Sequence, residues 1–338
     1  MLILGIESSC DETSCSVVKD GTKELYTVVS SSSELHEKTG GIVPEIAARK
    51  QVEYMLPVIS EVVLGTCSVL NISREEFIKS LDAIAVTIGP GLIGSLIVGV
   101  EAAKALSVAW EKPIIPVNHL VGHIYANFLE HTSIEFPAVA LVVSGGHTDL
   151  VLMHGHGDFE YLGGTVDDAA GEAFDKTARL LGLSNYKLGG PAISKKAREF
   201  KVDSSYKALL PRPKITSPDL DFSFSGLKTA VKYMVAKNTL PIDRVAYDFE
   251  SAVIEVLVKK TTSAATQHNA TCVLLGGGVV ANTRLREEIT ASLNMPVYFP
   301  SVRLCGDNAA YIASAANFIN TTKELNDLRP NPSLSIIQ

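Results

Sequence analysis

The feature of this chain that most constrains its fold is a pattern written twice. An apolar strand breaks into a tight turn of small, hydroxyl-bearing and acidic residues, then resumes as a second apolar strand. The first copy runs through residues 2–6, the turn Glu7-Ser8-Ser9-Cys10-Asp11-Glu12-Thr13 and residues 15–18. The second runs through residues 139–143, the turn Ser144-Gly145-Gly146-His147-Thr148 and residues 150–153. A turn of this kind gathers backbone N–H groups and hydroxyls at one point, which is what a phosphate requires. Two copies half a chain apart predict two lobes turned toward one nucleotide-like ligand, with the ligand cleft between them.

The surrounding elements repeat in the same order. Apolar patterning predicts strands near 2–7, 15–19 and 25–30, a helix over about 45–63, and a strand over 114–117 that leads into a helix at His119. The second half gives strands near 138–143, 149–153 and 159–162, a helix over 167–181, an irregular basic stretch, a helix over 247–267 and a strand over 272–275. The run Gly276-Gly277-Gly278 follows, then a helix from Asn282, a strand over 297–299 and a final helix after Asp307. Three hairpin-like strands followed by helix and strand, twice over, describe a duplicated α/β lobe. The expected division is 1–130 plus 306–328, with an insertion at about 31–52, and 131–305, with a basic insertion at about 185–225. Residues 329–338, which include two prolines, are expected to form a flexible tail.

A chain of 338 residues with 46% hydrophobic content can bury the core of two such domains. The net charge of −7 argues against coating nucleic acid by bulk attraction. A local excess runs the other way: Lys187, Lys195, Lys196, Arg198, Lys201, Lys207, Arg212 and Lys214 face only Glu199 and Asp203 in the same stretch. That run is the best candidate for contact with a polyanion, although a solvated face is the commoner meaning of such a run. Five cysteines without a CxxC pair, and an N-terminus that enters a strand without a basic leader, predict a cytoplasmic protein. Residues 83–100 carry no charge and are long enough to be screened as a membrane span. Gly89-Pro90-Gly91 at their centre predicts a buried strand, a turn and a helix instead, so no membrane association is expected.

His119 and His123 stand at i and i+4 of a predicted helix, on one face, where both can bind one metal ion. The alternative is a buried, satisfied histidine. Asp307, at the start of the last helix, would be the third ligand; as an isolated residue it reads more simply as an N-cap. Two imidazoles and one carboxylate suit Fe(II), and Zn is not excluded. The metalloprotease helix is excluded, because its base would directly follow the first histidine and Leu120 stands there. Gly89-Pro90-Gly91-Leu92-Ile93-Gly94 matches GxGxxG, but no acidic residue ends the next strand, so close helix–sheet packing explains these glycines better. Gly276-Gly277-Gly278 would let a flat ring such as adenine lie against the backbone, with Asn282 beside it; a flexible turn is the plain alternative. Asp168, Glu172 and Asp175 are predicted to share a helix face. They either satisfy the helix dipole or accept hydrogen bonds from ligand hydroxyls.

Together these motifs resemble the actin/Hsp70/sugar-kinase superfamily. More narrowly, the turn at residues 7–13, Gly40-Gly41-Ile42-Val43-Pro44-Glu45, Asn118-His119-Leu120-Val121-Gly122-His123, Ser144-Gly145-Gly146-His147-Thr148, residues 167–176, Ser223-Phe224-Ser225-Gly226-Leu227-Lys228 and Cys305-Gly306-Asp307-Asn308 resemble the TsaD family of tRNA threonylcarbamoyladenosine synthase subunits. The resemblance covers nearly the whole chain. It implies transfer of a threonylcarbamoyl group from threonylcarbamoyl-AMP to the exocyclic amine of the adenosine 3′ to the anticodon in ANN-decoding tRNAs. It further implies His119, His123 and Asp307 as metal ligands, and Val142, Val143, Ser144, Gly145, Gly146, Asp175, Gly190 and Asn282 around the adenylate and threonine. TsaB-like and TsaE-like subunits would be partners, and a dimer is allowed. Gln51 and Asn118 depart from the family pattern, in which a histidine is common at each position; the Gln51 change puts in doubt a role there in tRNA contact or inter-lobe packing. A mixed anhydride is already activated, so no protein nucleophile is needed; Asp11 or Glu12 would orient the attacking amine or take its proton. The competing readings are a sugar or acid kinase or ATPase on the same fold, a non-catalytic scaffold relative, and a glycoprotease.

Overall fold

The computed structural model describes residues 1–33, 35–36, 42–184, 189–203, 206–237 and 240–337. Gly40, Gly41 and Lys187 of the sequence motifs therefore lie outside the described residues. The chain divides into two compact units, Met1–Ile134 with Pro300–Gln338, and Glu135–Phe299.

In the first unit, β1 (Leu2–Glu7), β2 (Glu12–Lys19) and β3 (Lys23–Ser31) form an antiparallel meander. Strands β4 (Ala83–Gly89) and β5 (Ile114–Asn118) extend it in parallel on the other side of β1, giving the order β3-β2-β1-β4-β5. Every residue of β1 is buried, as a strand covered on both faces requires. Leu2, Leu4 and Ile6 point into a core with Met55, Val58, Ile59, Val62 and Val63 of α1 (Pro44–Leu70), while α3 (Ile93–Trp110) adds Val100 and Ala103. The alternate face of β1 meets α10 (Ala309–Ile319), whose alanines allow an approach so close that a methyl on Gly5 would stand 2.4 Å from the Ala309 carbonyl. Residues 83–100 divide as expected into β4, a turn and the start of α3.

The second unit repeats the plan. Its sheet runs β8 (Asp158–Gly164), β7 (Thr148–Gly155), β6 (Ala138–Val143), β9 (Cys272–Gly276), β10 (Val297–Tyr298), again a meander joined to a parallel pair. Helices α5 (Ala170–Leu180), α6 (Gly189–Ala197), α7 (Ser225–Lys237), α8 (Ile242–Gln267) and α9 (Thr283–Ser292) complete it. Phe174 of α5 meets Phe249 of α8 edge-on at 5.2 Å.

Three helices were not anticipated: α2 (Arg74–Ser80), α6 and α7. The first carries a full capping box between Ser73 and Glu76. Helix α6 opens on Gly189-Gly190-Pro191, which looks like a breaker although proline is tolerated in a first turn. It lies inside the stretch expected to be irregular. The start of α7 is held by Asp167, whose carboxylate accepts from the Phe224 and Ser225 amides (2.8 and 3.2 Å) and from the Ser223 and Ser225 hydroxyls (2.6 and 2.7 Å).

The last segment differs from a loose tail. The Asn331 amide donates to Ile88 O (2.7 Å), the Gly91 amide to Pro332 O (3.2 Å) and Asn118 Nδ2 to Ser335 O (2.7 Å), and Leu328 and Ile336 are buried. Prolines remove amide donors but leave carbonyls that can accept, and that of Pro332 does.

Candidate active site

The chain leaves β5 and turns at once into α4 (His119–Tyr125). Asn118 caps that helix: its Oδ1 accepts from the Leu120 amide at 2.9 Å. The capping role accounts for an asparagine at this position. One helical turn separates the two histidines and places both rings toward α10; a methyl on Gly122 between them would meet Ile312 and Tyr311 at 2.7 Å. Asp307 sits just before α10, but Asn308 is the N-cap, its side chain accepting from the Ala310 amide at 2.8 Å. The Asp307 carboxylate is thereby left to face the imidazoles, with Oδ1 3.7 Å from His119 Nε2 and 3.8 Å from His123 Nε2. One ligand atom from each residue lies within 4.8 Å of the other two. Two opposed metal bonds of about 2.1 Å would span about 4.2 Å, so the two carboxylate–imidazole separations of 3.7 and 3.8 Å suit ligands of one first-row cation, while the 4.8 Å bound on the whole set asks for a small inward shift.

Glu7, the last residue of β1, was not singled out from the sequence, yet it is fully buried beside this cluster. Its Oε2 is 3.0 Å from His119 Nδ1 and accepts from Thr87 Oγ1 at 2.7 Å; its Oε1 accepts from the Ser9 amide at 2.5 Å. Burial alone would raise this carboxyl, but the His119 charge and the hydrogen bonds from His119, Thr87 and Ser9 hold it below the usual carboxylate range. Burial would likewise depress His119, but Glu7 and Asp307 outweigh it and lift the imidazolium to about 9. A cation at Nε2 therefore has to displace a proton. The signal for Glu7 was an acid closing an otherwise apolar strand. Tyr311, also missed, packs its buried ring 4.9 Å from that of His123.

The first turn is closed rather than open. Ser8, Ser9 and Asp11 are buried, and Gln51 of α1 reaches over from below, its Nε2 lying 3.3, 2.9 and 3.1 Å from the carbonyls of Ser8, Cys10 and Glu12. Ser95 Oγ donates to the Cys10 carbonyl (2.9 Å), and Asp11 O accepts from the Ser32 amide (3.1 Å). Glu12 is half-buried, and its Oε1 accepts from Ser31 Oγ at 3.4 Å. Gln51 is thus the clasp of this turn.

In the second unit, Val142 and Val143 are buried in β6, opposite Asp149 and Thr148 of β7. Ser144 is engaged internally, its amide donating to His147 O (2.9 Å) and its Oγ accepting from the His147 amide (3.2 Å). Gly145 and Gly146 are exposed, and a methyl on either would meet nothing within 4 Å. These two residues of the turn expected to cradle a phosphate are thus open to solvent. Beside them Gly277 has φ +97°, and a methyl there would stand 2.4 Å from Val143 O, so only glycine fits. Asp175 Oδ1 accepts from the Gly189 amide (3.0 Å), which brings it next to Gly190. Asn282 caps α9 through Leu285 N (3.0 Å) and spends its Nδ2 hydrogens on Glu250 (2.8 Å) and Ser194 (3.1 Å).

Other charges are absorbed by the fold. Asp168 precedes α5 rather than riding on it, and with Glu172 it grips Lys176, each at 2.7 Å. Arg212 is held by Glu255 (2.8 and 2.9 Å) and Asp248 (3.1 Å), and Lys214 by Asp219 and Asp221 (3.2 and 3.3 Å). Both belong to the structure of the basic stretch, and Lys196 pairs with Glu199. Lys195, Arg198, Lys201 and Lys207 are exposed.

The model of the family TsaD, tRNA N6-adenosine threonylcarbamoyltransferase, matches residues 24–314. A protein of that name from Dehalococcoides mccartyi (strain BAV1) is 48% identical over 343 aligned residues, covering 99% of each chain. Another from Symbiobacterium thermophilum is 49% identical, covering 94% of this chain and 91% of its own. Among solved structures, component A of the Acidaminococcus fermentans (R)-2-hydroxyglutaryl-CoA dehydratase superposes with TM-score 0.53 at 15% identity, covering 95% and 97%. T. kodakarensis HypF reaches TM-score 0.61 at 14% identity, covering 94% of this chain and 46% of its own. These two share the duplicated actin/Hsp70/sugar-kinase fold and nothing narrower.

Proposed function

The chain belongs to the tRNA N6-adenosine threonylcarbamoyltransferase family and carries that acyl transfer onto tRNA; from this premise we propose that its donor is threonylcarbamoyl-AMP and that its two units divide the work. The second unit recognises the adenylate: the Gly145 and Gly146 amides meet the phosphate, Gly277 lets the nucleoside approach, and Asp175, Gly190 and Asn282, with Val142, Val143 and Ser144, shape the pocket. The first unit manages the reacting carbonyl and the proton. His119, His123 and Asp307 would hold one divalent cation, Fe(II) ahead of Zn, which would supply Lewis acidity to the transfer.

The exocyclic nitrogen of adenosine attacks the carbamoyl carbon, a C–N bond forms, and the C–O bond to phosphate breaks to release AMP. The amine proton leaves to Asp11 or Glu12, whichever orients the nucleophile. No enzyme-bound acyl intermediate is required, because the anhydride is already activated. Exposed Lys195, Arg198, Lys201 and Lys207 are the phosphate contacts for tRNA. A TsaB-like subunit covers the apolar surface of α1 and α3, where Leu56, Leu64 and Val108 are more than 60% exposed. A TsaE-like ATPase and a dimer complete the proposed assembly, which works in the cytoplasm.

The observation that carries this reading is the convergence of His119, His123 and Asp307 on one point. The test is to incubate the protein with threonylcarbamoyl-AMP and unmodified tRNA, with and without the partner subunits, and to weigh the released nucleosides. Modified adenosine whose yield collapses in His123→Ala supports it; product at the wild-type rate from His119→Ala and Asp307→Ala would remove the metal from the chemistry.

A further inference from the structure

Glu7 is a fully buried carboxylate that the proposed transfer does not use. A buried carboxylate is retained at a cost unless its oxygens are filled, and here they are: Oε1 by the Ser9 amide, Oε2 by Thr87 Oγ1 and His119 Nδ1. Only the last of these contacts reaches the three-donor cluster. A carboxylate oxygen accepts, so the proton on the His119–Glu7 bond sits on Nδ1. Nε2, the nitrogen that faces Asp307 at 3.7 Å, is then the one that would give up its proton to a cation and offer its lone pair. The strand β1 is buried along its length, and Thr87 of the adjacent β4 braces the carboxylate from the side.

We propose that Glu7 is the positioning residue of the metal centre: it fixes the His119 tautomer and ring angle through Nδ1, so that Nε2 is the ligand atom. The inference rests on reading His119, His123 and Asp307 as a metal site. Metal-bound histidines commonly donate their second ring N–H to a carboxylate, and loss of that partner typically weakens the metal by about 10- to 100-fold. The competing role is purely architectural, in which Glu7 anchors the first turn through Ser9 and Thr87.

The two roles separate by measurement. Metal-free protein is titrated with Zn(II), and anaerobically with Fe(II), against a chromophoric chelator. Glu7→Gln is expected to bind about 10- to 100-fold more weakly than wild type, with its metal-free melting temperature little changed. Thr87→Val, which removes a donor to Glu7 Oε2 and leaves the Glu7–His119 bond its own two partners, is expected to bind within about threefold of wild type. Wild-type affinity in Glu7→Gln alongside lost binding in His119→Ala would overturn the proposal while leaving the metal site standing. Undiminished binding in His119→Ala, His123→Ala and Asp307→Ala would instead remove the metal site itself. A variant-free readout covers a Glu7→Gln that fails to fold: long-range 1H–15N spectra of the Zn(II)-loaded wild type are expected to show His119 protonated at Nδ1 and metal-bound at Nε2. The reverse assignment overturns the proposal.

Discussion

The two strand–turn–strand repeats share one topology and have parted in what their turns do. The turn after β1 is packed with side chains: Glu7, Ser8, Ser9 and Asp11 are buried, and Gln51 and Ser95 bond its carbonyls from the helices beneath. The turn after β6 is bare backbone, with two exposed glycines. Each has a buried or largely buried carboxylate beside it, and these too differ. Glu7 has three donors and is held acidic, whereas Asp149 has, among the described residues, the Tyr161 hydroxyl at 3.5 Å, and burial pushes it up to about 6. Duplication supplied the frame; the chemistry of each half came from what was placed behind the turn.

The sharpest way to break this contrast is His123→Ala, which should lower transfer by about a thousandfold and abolish metal binding, measured by single-turnover assay and metal analysis. In the other half, Gly277→Ala forces an alanine into positive φ against Val143 O and should cost about 2–4 kcal/mol by urea denaturation. Gln51→Ala should cost about 1–3 kcal/mol, because the carbonyls of Ser8, Cys10 and Glu12 each lose a donor, Cys10 O keeping that of Ser95; unchanged stability would mean that the first turn holds itself. Gly145→Ala has room for its methyl, so stability should stay within about 0.5 kcal/mol, and a donor KM raised about tenfold would mark the backbone as the phosphate contact. Asp149→Asn addresses pH. The folded carboxyl titrates near 6 and the unfolded one near 3.8, so the folded state binds more protons between those values and stability falls as pH rises through them. Removing the charge should erase that decline and add about 1–2 kcal/mol at pH 7 after allowing for partial exposure.

Much of the frame was legible because β1, β4, β6 and β9 are apolar runs that give way to turns rich in small residues, and because the same order appears twice. His119 and His123 were legible because helical spacing alone places them on one face. Asp307 needed the structure: only there does Asn308 take the cap while the Asp307 carboxylate faces both imidazoles. Glu7 and Gln51 were harder, since each acts through residues tens of positions away, Glu7 on Thr87 and His119, Gln51 on the carbonyls of the first turn. The start of α7 depends on Asp167, and no local pattern announces that. Helix α6 hid behind Gly-Gly-Pro, where local propensity and tertiary packing disagree.

Ser335 accepts from the side chain that caps α4, and Pro332 from the amide of Gly91. Residues 332–335 are therefore mechanically in series with the first histidine. Chain ending after Pro330 would leave Asn118 Nδ2 without that acceptor, and an ill-seated cap lets a short helix fray from its first residue, which is His119 itself. A substitution that unseats residues 331–335 should therefore be felt first at His119, although no side chain of that segment touches the ring in the hydrogen bonds described above.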